Sequence, residues 1–292
     1  MNFKLVFRLT GKTLLVEAVT MLLPLAVAVG YGDELRPFLL AILITAALGF
    51  LLSALRSNTN FHAKEGFFAT GLIWLLVAAC GALPFYFSGY FESYVDCFFE
   101  AVSGFTTTGS SILKAVEPLP KSLLFWRSFT HWLGGMGILV LTIALLPSLG
   151  ERTLHVMRAE SPGPIISKLV PKASQSSKIL YAIYTGMTLV MIVCLLLTGM
   201  PLFDSVVNTM ATAGTGGFAV LNLSIGGYQN PAAEIVIAVF MFLFSVNFSV
   251  YFLILSGKWK KALQSDELRF FSGIVLFSTV IIAVNIAHLY GN

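Results

Sequence analysis

Charge is scarce in this chain. Only 11% of its 292 residues are Asp, Glu, Lys or Arg, while 57% are hydrophobic; a water-soluble domain carries about 25% charged residues. So few charges cannot clothe a soluble body of this size, which excludes a soluble enzyme and a disordered chain. Cysteine is scarce too. Cys80, Cys97 and Cys194 lie in or beside apolar stretches, and an odd, scattered set suits neither a disulfide framework nor a metal-ligand spacing. Packing is their expected role. No small-residue cleavage pattern follows the basic Lys4, Arg8 and Lys12, so no removable targeting segment is expected.

What the chain has in abundance is long apolar runs. A helix crossing about 30 Å of hydrocarbon needs about 20 apolar residues. Seven stretches qualify: 13–30, 37–55, 66–89, 123–149, 179–199, 232–256 and 270–290. The expected fold class is an all-α polytopic membrane protein. With a cytoplasmic N-terminus, only Arg36, Lys114, Lys121 and Arg127 of the 18 Lys and Arg fall on the outer side, as the positive-inside rule demands. That bias explains the net charge of +4 better than a nucleic-acid partner does. The acids Asp33, Glu34, Glu92, Asp96, Glu100, Glu117, Asp204 and Glu234 gather outside. Either the outer leaflet simply tolerates them or they form a mildly negative vestibule that concentrates cations.

The helical pattern fails in two places. Residues 95–120 (VDCFFEAVSGFTTTGSSILKAVEPLP) and 202–231 (LFDSVVNTMATAGTGGFAVLNLSIGGYQNP) each follow a proline-bearing helix end. Each then offers an aspartate, about nine helix-compatible residues and a Thr/Gly run. The repeat is about 107 residues, from Gly109 to Gly216. Asp96 and Asp204 read as N-caps of short helices. Such a helix is roughly 14 Å long, half the bilayer core, so it dips in and returns.

Irregular backbone at membrane depth is tolerated only where protein buries it or where it lines a watery cavity. A half-helix entering from outside aims its negative end at mid-membrane, a favourable place for a cation. Thr106, Thr107, Thr108 and Gly109 can then present a row of carbonyl oxygens in place of an alkali ion's water shell. The matching run is Ala213, Gly214, Thr215 and Gly216. Gly217 is the register alternative, because the glycine falls 13 residues after Asp96 but 12 after Asp204. One such run reads as an ordinary turn; two in corresponding places favour an ion filter.

Four stretches, FFEAVSGFTTTGSSIL at 98–113, FWRSFTHWLGGMGILVLTIALLP at 125–147, TAGTGGFAV at 212–220 and NFSVYF at 247–252, resemble the Trk/Ktr/HKT superfamily of potassium transporters. The similarity is to its bacterial Trk-type membrane subunit. The resemblance implies two extra N-terminal helices (1–60) and a first helix–pore loop–helix repeat (61–150). It further implies a cytoplasmic loop (151–174), a second repeat (175–257) and the opening helix of an incomplete third (258–292). Gly109 and Gly216 would be filter glycines. K⁺ would be the transported ion, with no organic cofactor, taken up across the bacterial cytoplasmic membrane. Membrane lipid, a homodimer of complete chains and a cytoplasmic nucleotide-binding regulatory subunit are the implied partners, and nucleic acid is not among them. The basic loop 150–178 could contribute to the regulatory surface. The family's third pore loop and fourth repeat are not within these residues, so a truncated product or an excised portion of a longer transporter is expected.

Two competing functions differ in class. One is a non-conducting assembly or regulatory subunit. The other is an intramembrane hydrolase using Ser110 or Ser111 with His131, which rests on residue type alone. Gly134, Gly135 and Gly137 are expected to allow close packing behind the filter. Arg127 and His131 read as anchors of the interface or the pore loop. Asn247 reads as structural or, alternatively, pore-facing. Glu17 is expected to snorkel or to pair with Lys12, with a proton relay as the sharper alternative.

Overall fold

A computed structural model describes residues 3–55, 63–137 and 173–290. Every regular element among them is helical. The order begins with α1 (Phe3–Thr20), α2 (Leu22–Tyr31), α3 (Arg36–Ser53), α4 (Ala63–Gly81) and α5 (Leu83–Ser88). A short helix α6 (Tyr94–Phe105) and then α7 (Lys121–Met136) follow. After the undescribed stretch come α8 (Ala173–Leu197), the second short helix α9 (Leu202–Ala213), a 3₁₀ turn at Ser224–Tyr228 and α10 (Pro231–Ser245). The chain closes with α11 (Phe248–Leu255), α12 (Trp259–Leu263) and α13 (Asp266–Tyr290). These helices fall into two compact units, Met1–Ser245 and Val246–Asn292.

Among the described residues, five helical segments are long and apolar enough to cross a membrane: Phe3–Tyr31, Arg36–Ser53, Gly66–Ser88, Ser177–Leu197 and Asp266–Ala287. The first starts ten residues before the expected span and breaks at Met21. Pro24 has no N–H to give Thr20, but the ladder continues on either side, Met21 N to Glu17 O at 3.0 Å and Leu25 N to Met21 O at 3.2 Å. Pro84 interrupts the third span at Ala82 for the same reason. The expected single span 232–256 is two helices, α10 of 15 residues and α11 of 8, each too short to cross a membrane by itself. Asn247 leaves the helical region (ψ 124°) and caps α11, its Oδ1 accepting from Ser249 N at 2.9 Å. Its Nδ2 lies 3.3 Å from both carboxylate oxygens of Glu267, so its role within this unit is structural. Residues 138–149 of the expected fourth span, and most of the basic loop 150–178, lie outside the described residues.

In the first unit, α1, α3 and α4 pack through small residues. A Cβ at Gly11 would meet the backbone of Gly49, Leu52 and Ser53, the close approach that membrane helices achieve with glycine. Phe38, Ile73, Phe85, Phe105, Trp126 and Leu133 fill the buried centre, and the Trp126 indole N–H donates to Gly81 O at 2.9 Å. Glu17 departs from expectation. It is fully buried, neither carboxylate oxygen has a hydrogen-bond partner among the described residues, and Oε1 faces Gly81, 3.2 Å from where a Cβ would stand. It neither snorkels nor pairs with Lys12, because the α1–α4 packing carries its side chain inward.

The two short helices also start differently from expectation. Ser93, in extended conformation, caps α6: its Oγ accepts from Asp96 N at 3.2 Å and donates to Asp96 Oδ2 at 2.8 Å. Pro201, which has no N–H to satisfy, precedes α9. Asp96 and Asp204 therefore sit in the first turn, still favoured by the helix dipole, and each helix has 12 residues rather than nine.

Candidate functional site

Where α6 and α9 end, the backbone repeats bond for bond. After α6, Thr106 N donates to Val102 O (2.9 Å) and Thr107 N to Gly104 O (3.0 Å). Thr108 N and Gly109 N both reach Ser103 O (2.9 and 3.5 Å). After α9, Gly214 N donates to Met210 O (3.2 Å) and Thr215 N to Thr212 O (2.8 Å). Gly216 N and Gly217 N both reach Ala211 O (3.1 and 3.3 Å). Every donor and acceptor is displaced by 108 residues, not the 107 counted from Gly109 to Gly216.

Dihedral angles agree. Thr107 and Thr215 share the left-handed region (φ 56° and 59°), and so do Gly109 and Gly217 (φ 76° and 83°). Gly217, the register alternative, is thus the backbone counterpart of Gly109. Thr106–Gly109 matches Gly214–Gly217, and Ala213 is the last residue of α9. Two adjacent glycines left the register open in the sequence; the hydrogen bonds and the positive φ together separate them. A threonine at positive φ is strained, and the same strain at the same place in both loops marks a conformation held by its surroundings.

The loops meet. A Cβ on Gly109 would collide with the Gly216 carbonyl oxygen and stand 2.8 Å from its carbon, so only glycine fits there. Thr106, Thr108, Thr215 and Gly217 are exposed. The Thr106 hydroxyl donates to Val102 O (2.7 Å) and lies 2.8 Å from the Thr108 hydroxyl. All eight N–H groups are satisfied inward. No described residue donates to the carbonyls of Thr106, Thr107, Thr108, Gly109, Gly214, Thr215 or Gly217, and the Gly216 backbone lies against the His131 ring. Backbone polar groups seek partners, and a row of carbonyls without donors offers what a desolvated cation needs. Among the described residues no group of three His, Cys, Asp or Glu could hold a metal ion.

Helix α7 forms the wall behind both loops. Gly134 abuts Phe105 O, and Gly135 lies against Gly214 Cα and the Tyr184 hydroxyl, each 2.7 Å from where its Cβ would stand. Gly137 instead turns the chain at φ 82°, and its carbonyl accepts from Tyr181 (3.0 Å). His131 is buried; its Nδ1 lies 3.4 Å from Arg127 O and its ring centroid 4.1 Å from that of Phe218. Sequence alone places Glu100 among the outer acids and misses its partner. Glu100 is fully buried in an ion pair with Arg127 (2.8 Å) and also accepts from Ser111 Oγ (3.0 Å) and Ile112 N (3.1 Å). A carboxylate amid FFEAV, with one arginine on the next helix, was the available signal. Ser111 therefore gives its hydroxyl to a carboxylate, while the His131 nitrogens face Arg127 O and the Gly216 backbone. The serine–imidazole pair that a hydrolase requires is not formed by these two.

The family model described as TrkH, cation transport protein, matches residues 34–289. The chain belongs to the TrkH cation transport protein family. It is 36% identical over 290 residues to the Trk system potassium uptake protein TrkH of Salmonella typhimurium, covering 96% of this chain and 59% of that protein. It is 30% identical over 280 residues to an uncharacterized cation transporter of Methanocaldococcus jannaschii, covering 96% and 58%. The crystal structure of the potassium transporter TrkH from Vibrio parahaemolyticus superposes with a TM-score of 0.84 at 30% identity, covering all of this chain and 61% of that one. This TrkH-family chain thus shares their helical membrane fold and spans about three fifths of the length of these relatives.

Proposed function

We propose that the chain is the filter-bearing part of a potassium-uptake membrane subunit of Trk type, in which Thr106–Gly109 and Gly214–Gly217 supply two strands of a carbonyl-lined K⁺ filter. The observation that carries this reading is the hydrogen-bond asymmetry. In both loops four consecutive N–H groups turn back into a short helix, which leaves the carbonyls free for an ion. The names of the relatives, potassium uptake proteins, support the choice of K⁺.

The step is an exchange of ligands. A hydrated ion sheds water as carbonyl oxygens replace it, and no covalent bond changes. The negative ends of α6 and α9 close on the loops and favour positive charge there. Selection of K⁺ over Na⁺ follows from carbonyl spacing and field, so each strand must be held in place. The bias of basic residues supports a cytoplasmic N-terminus in a bacterial cytoplasmic membrane. A dimer of complete chains and a cytoplasmic nucleotide-binding regulatory subunit, docking partly on the basic loop 150–178, complete the proposal.

The test is ⁸⁶Rb⁺ uptake in cells without their own K⁺ uptake. Residues 1–292 are expressed alone and as a chimera replacing the matched part of the Vibrio parahaemolyticus transporter. Gly109→Ala, which drives a methyl into the Gly216 carbonyl, should abolish chimera-supported uptake with membrane abundance unchanged. Undiminished uptake would refute the filter reading. Support by the chimera but not by the chain alone is the outcome expected if two strands do not suffice.

A further inference from the structure

We propose that Arg127 is a positioning residue acting across the repeat boundary: it holds the second filter strand in register with the first and so sets K⁺-over-Na⁺ discrimination. The inference rests on the filter reading above.

Arg127 belongs to α7, in the first repeat, yet it grips both loops at the same place. Its Nη2 reaches Ser111 Oγ (3.3 Å), two residues after Gly109. Its Nη1 donates to Ala219 O (3.3 Å), two residues after Gly217. Its guanidinium lies over the Phe218 ring, 4.1 Å from the centroid, a favourable cation–π geometry. The planar fork spreads its donors over three nitrogens and so reaches partners on both loops at once, whereas a lysine concentrates its donors on one nitrogen.

The second loop has no such support of its own. At the 108-residue displacement, Asn208 stands where Glu100 does and Ala219 where Ser111 does. Asn208 turns instead to Asp204 O (2.9 Å) and the Tyr228 hydroxyl (3.2 Å). The strand after Gly217 is therefore tethered by the first repeat's arginine. A second clasp joins the loops at the outer rim, with Val116 N donating to Asn222 Oδ1 (2.8 Å) and Asn222 N to Glu117 Oε1 (3.0 Å). That clasp is exposed and competes with water, whereas the Glu100–Arg127 pair is only 0–2% exposed. A buried pair of this kind does not yield to another partner without leaving a bare charge. At 2% exposure Arg127 acts through the strands it holds.

The test uses the same chimera, with ²²Na⁺ and ⁸⁶Rb⁺ uptake measured side by side for Arg127→Lys and Phe218→Leu, and membrane abundance measured in parallel. The ²²Na⁺/⁸⁶Rb⁺ ratio should rise about tenfold in Arg127→Lys, the scale of one lost charge-assisted hydrogen bond. It should rise by a smaller factor in Phe218→Leu. A merely structural arginine would lower abundance and total uptake without moving the ratio, and that result overturns the proposal. Should Arg127→Lys fail to accumulate, Phe218→Leu alone decides. An unchanged ratio while Gly109→Ala still abolishes uptake sinks this inference only; Gly109→Ala without effect sinks the filter reading beneath it.

Discussion

The two loops that follow α6 and α9 carry the same backbone on different supports. Behind the first stands a buried ion pair, Glu100 with Arg127, joined by Ser111 and the Ile112 amide. Behind the second stands a neutral group, Asn208 with the Tyr228 hydroxyl and the Asp204 carbonyl. Burial above all raises the Tyr228 hydroxyl beyond its usual range, so it remains a neutral partner at ordinary pH. The hydrogen bonds leaving α6 and α9 nevertheless match one for one, and the same two positions per loop take positive φ. What the repeat preserves is the backbone conformation; the side chains behind it differ between the two loops, and Arg127 reaches both.

Removing each support separately would break this comparison most sharply. Glu100→Ala leaves Arg127 charged and without its carboxylate in the interior, and should destabilise by about 3–5 kcal/mol. Asn208→Ala removes only neutral hydrogen bonds and should cost about 1–3 kcal/mol. Unfolding of the purified chain in detergent measures both, and equal losses would contradict the asymmetry. Glycine substitutions sharpen the backbone half of the argument. Gly217→Ala meets no neighbour within 4 Å and incurs only left-handed strain, about 1–2 kcal/mol. It should slow ⁸⁶Rb⁺ uptake while Gly109→Ala, which meets Gly216 O, stops it.

Away from the loops, Glu17→Met removes a buried carboxyl with no hydrogen-bond partner among the described residues. It should raise stability by about 1–2 kcal/mol, within the range for relieving an unsatisfied buried polar group, visible as a higher unfolding midpoint. The smallest effect belongs to the rim: Asn222→Ala opens an exposed clasp and should change stability by less than about 1 kcal/mol and leave the ²²Na⁺/⁸⁶Rb⁺ ratio alone.

Five of the seven expected spans were legible because an apolar run of bilayer length has few alternatives, and the loops because a Thr/Gly run after a half-length helix interrupts that pattern twice. Register was not legible. Gly216 and Gly217 are chemically identical, and either can be set against Gly109; the 108 residues that separate Asp96 from Asp204 agree with Gly217, but a spacing between two aspartates does not by itself fix which backbone groups correspond. Glu100 was visible only as an acid on the outer side, since its meaning depends on Arg127, 27 residues on and one helix away.

By itself, then, the amino-acid order determined that long apolar helices form and that two half-length helices each end in a Thr/Gly run. All of this follows from hydrophobic length and local backbone preference. Tertiary structure alone decided that Gly109 lies against Gly216, that Glu17 is buried without a hydrogen-bond partner among the described residues, and that one arginine ties both loops. Those facts depend on distances between residues remote in the chain, and no local preference encodes a distance across a packed interface.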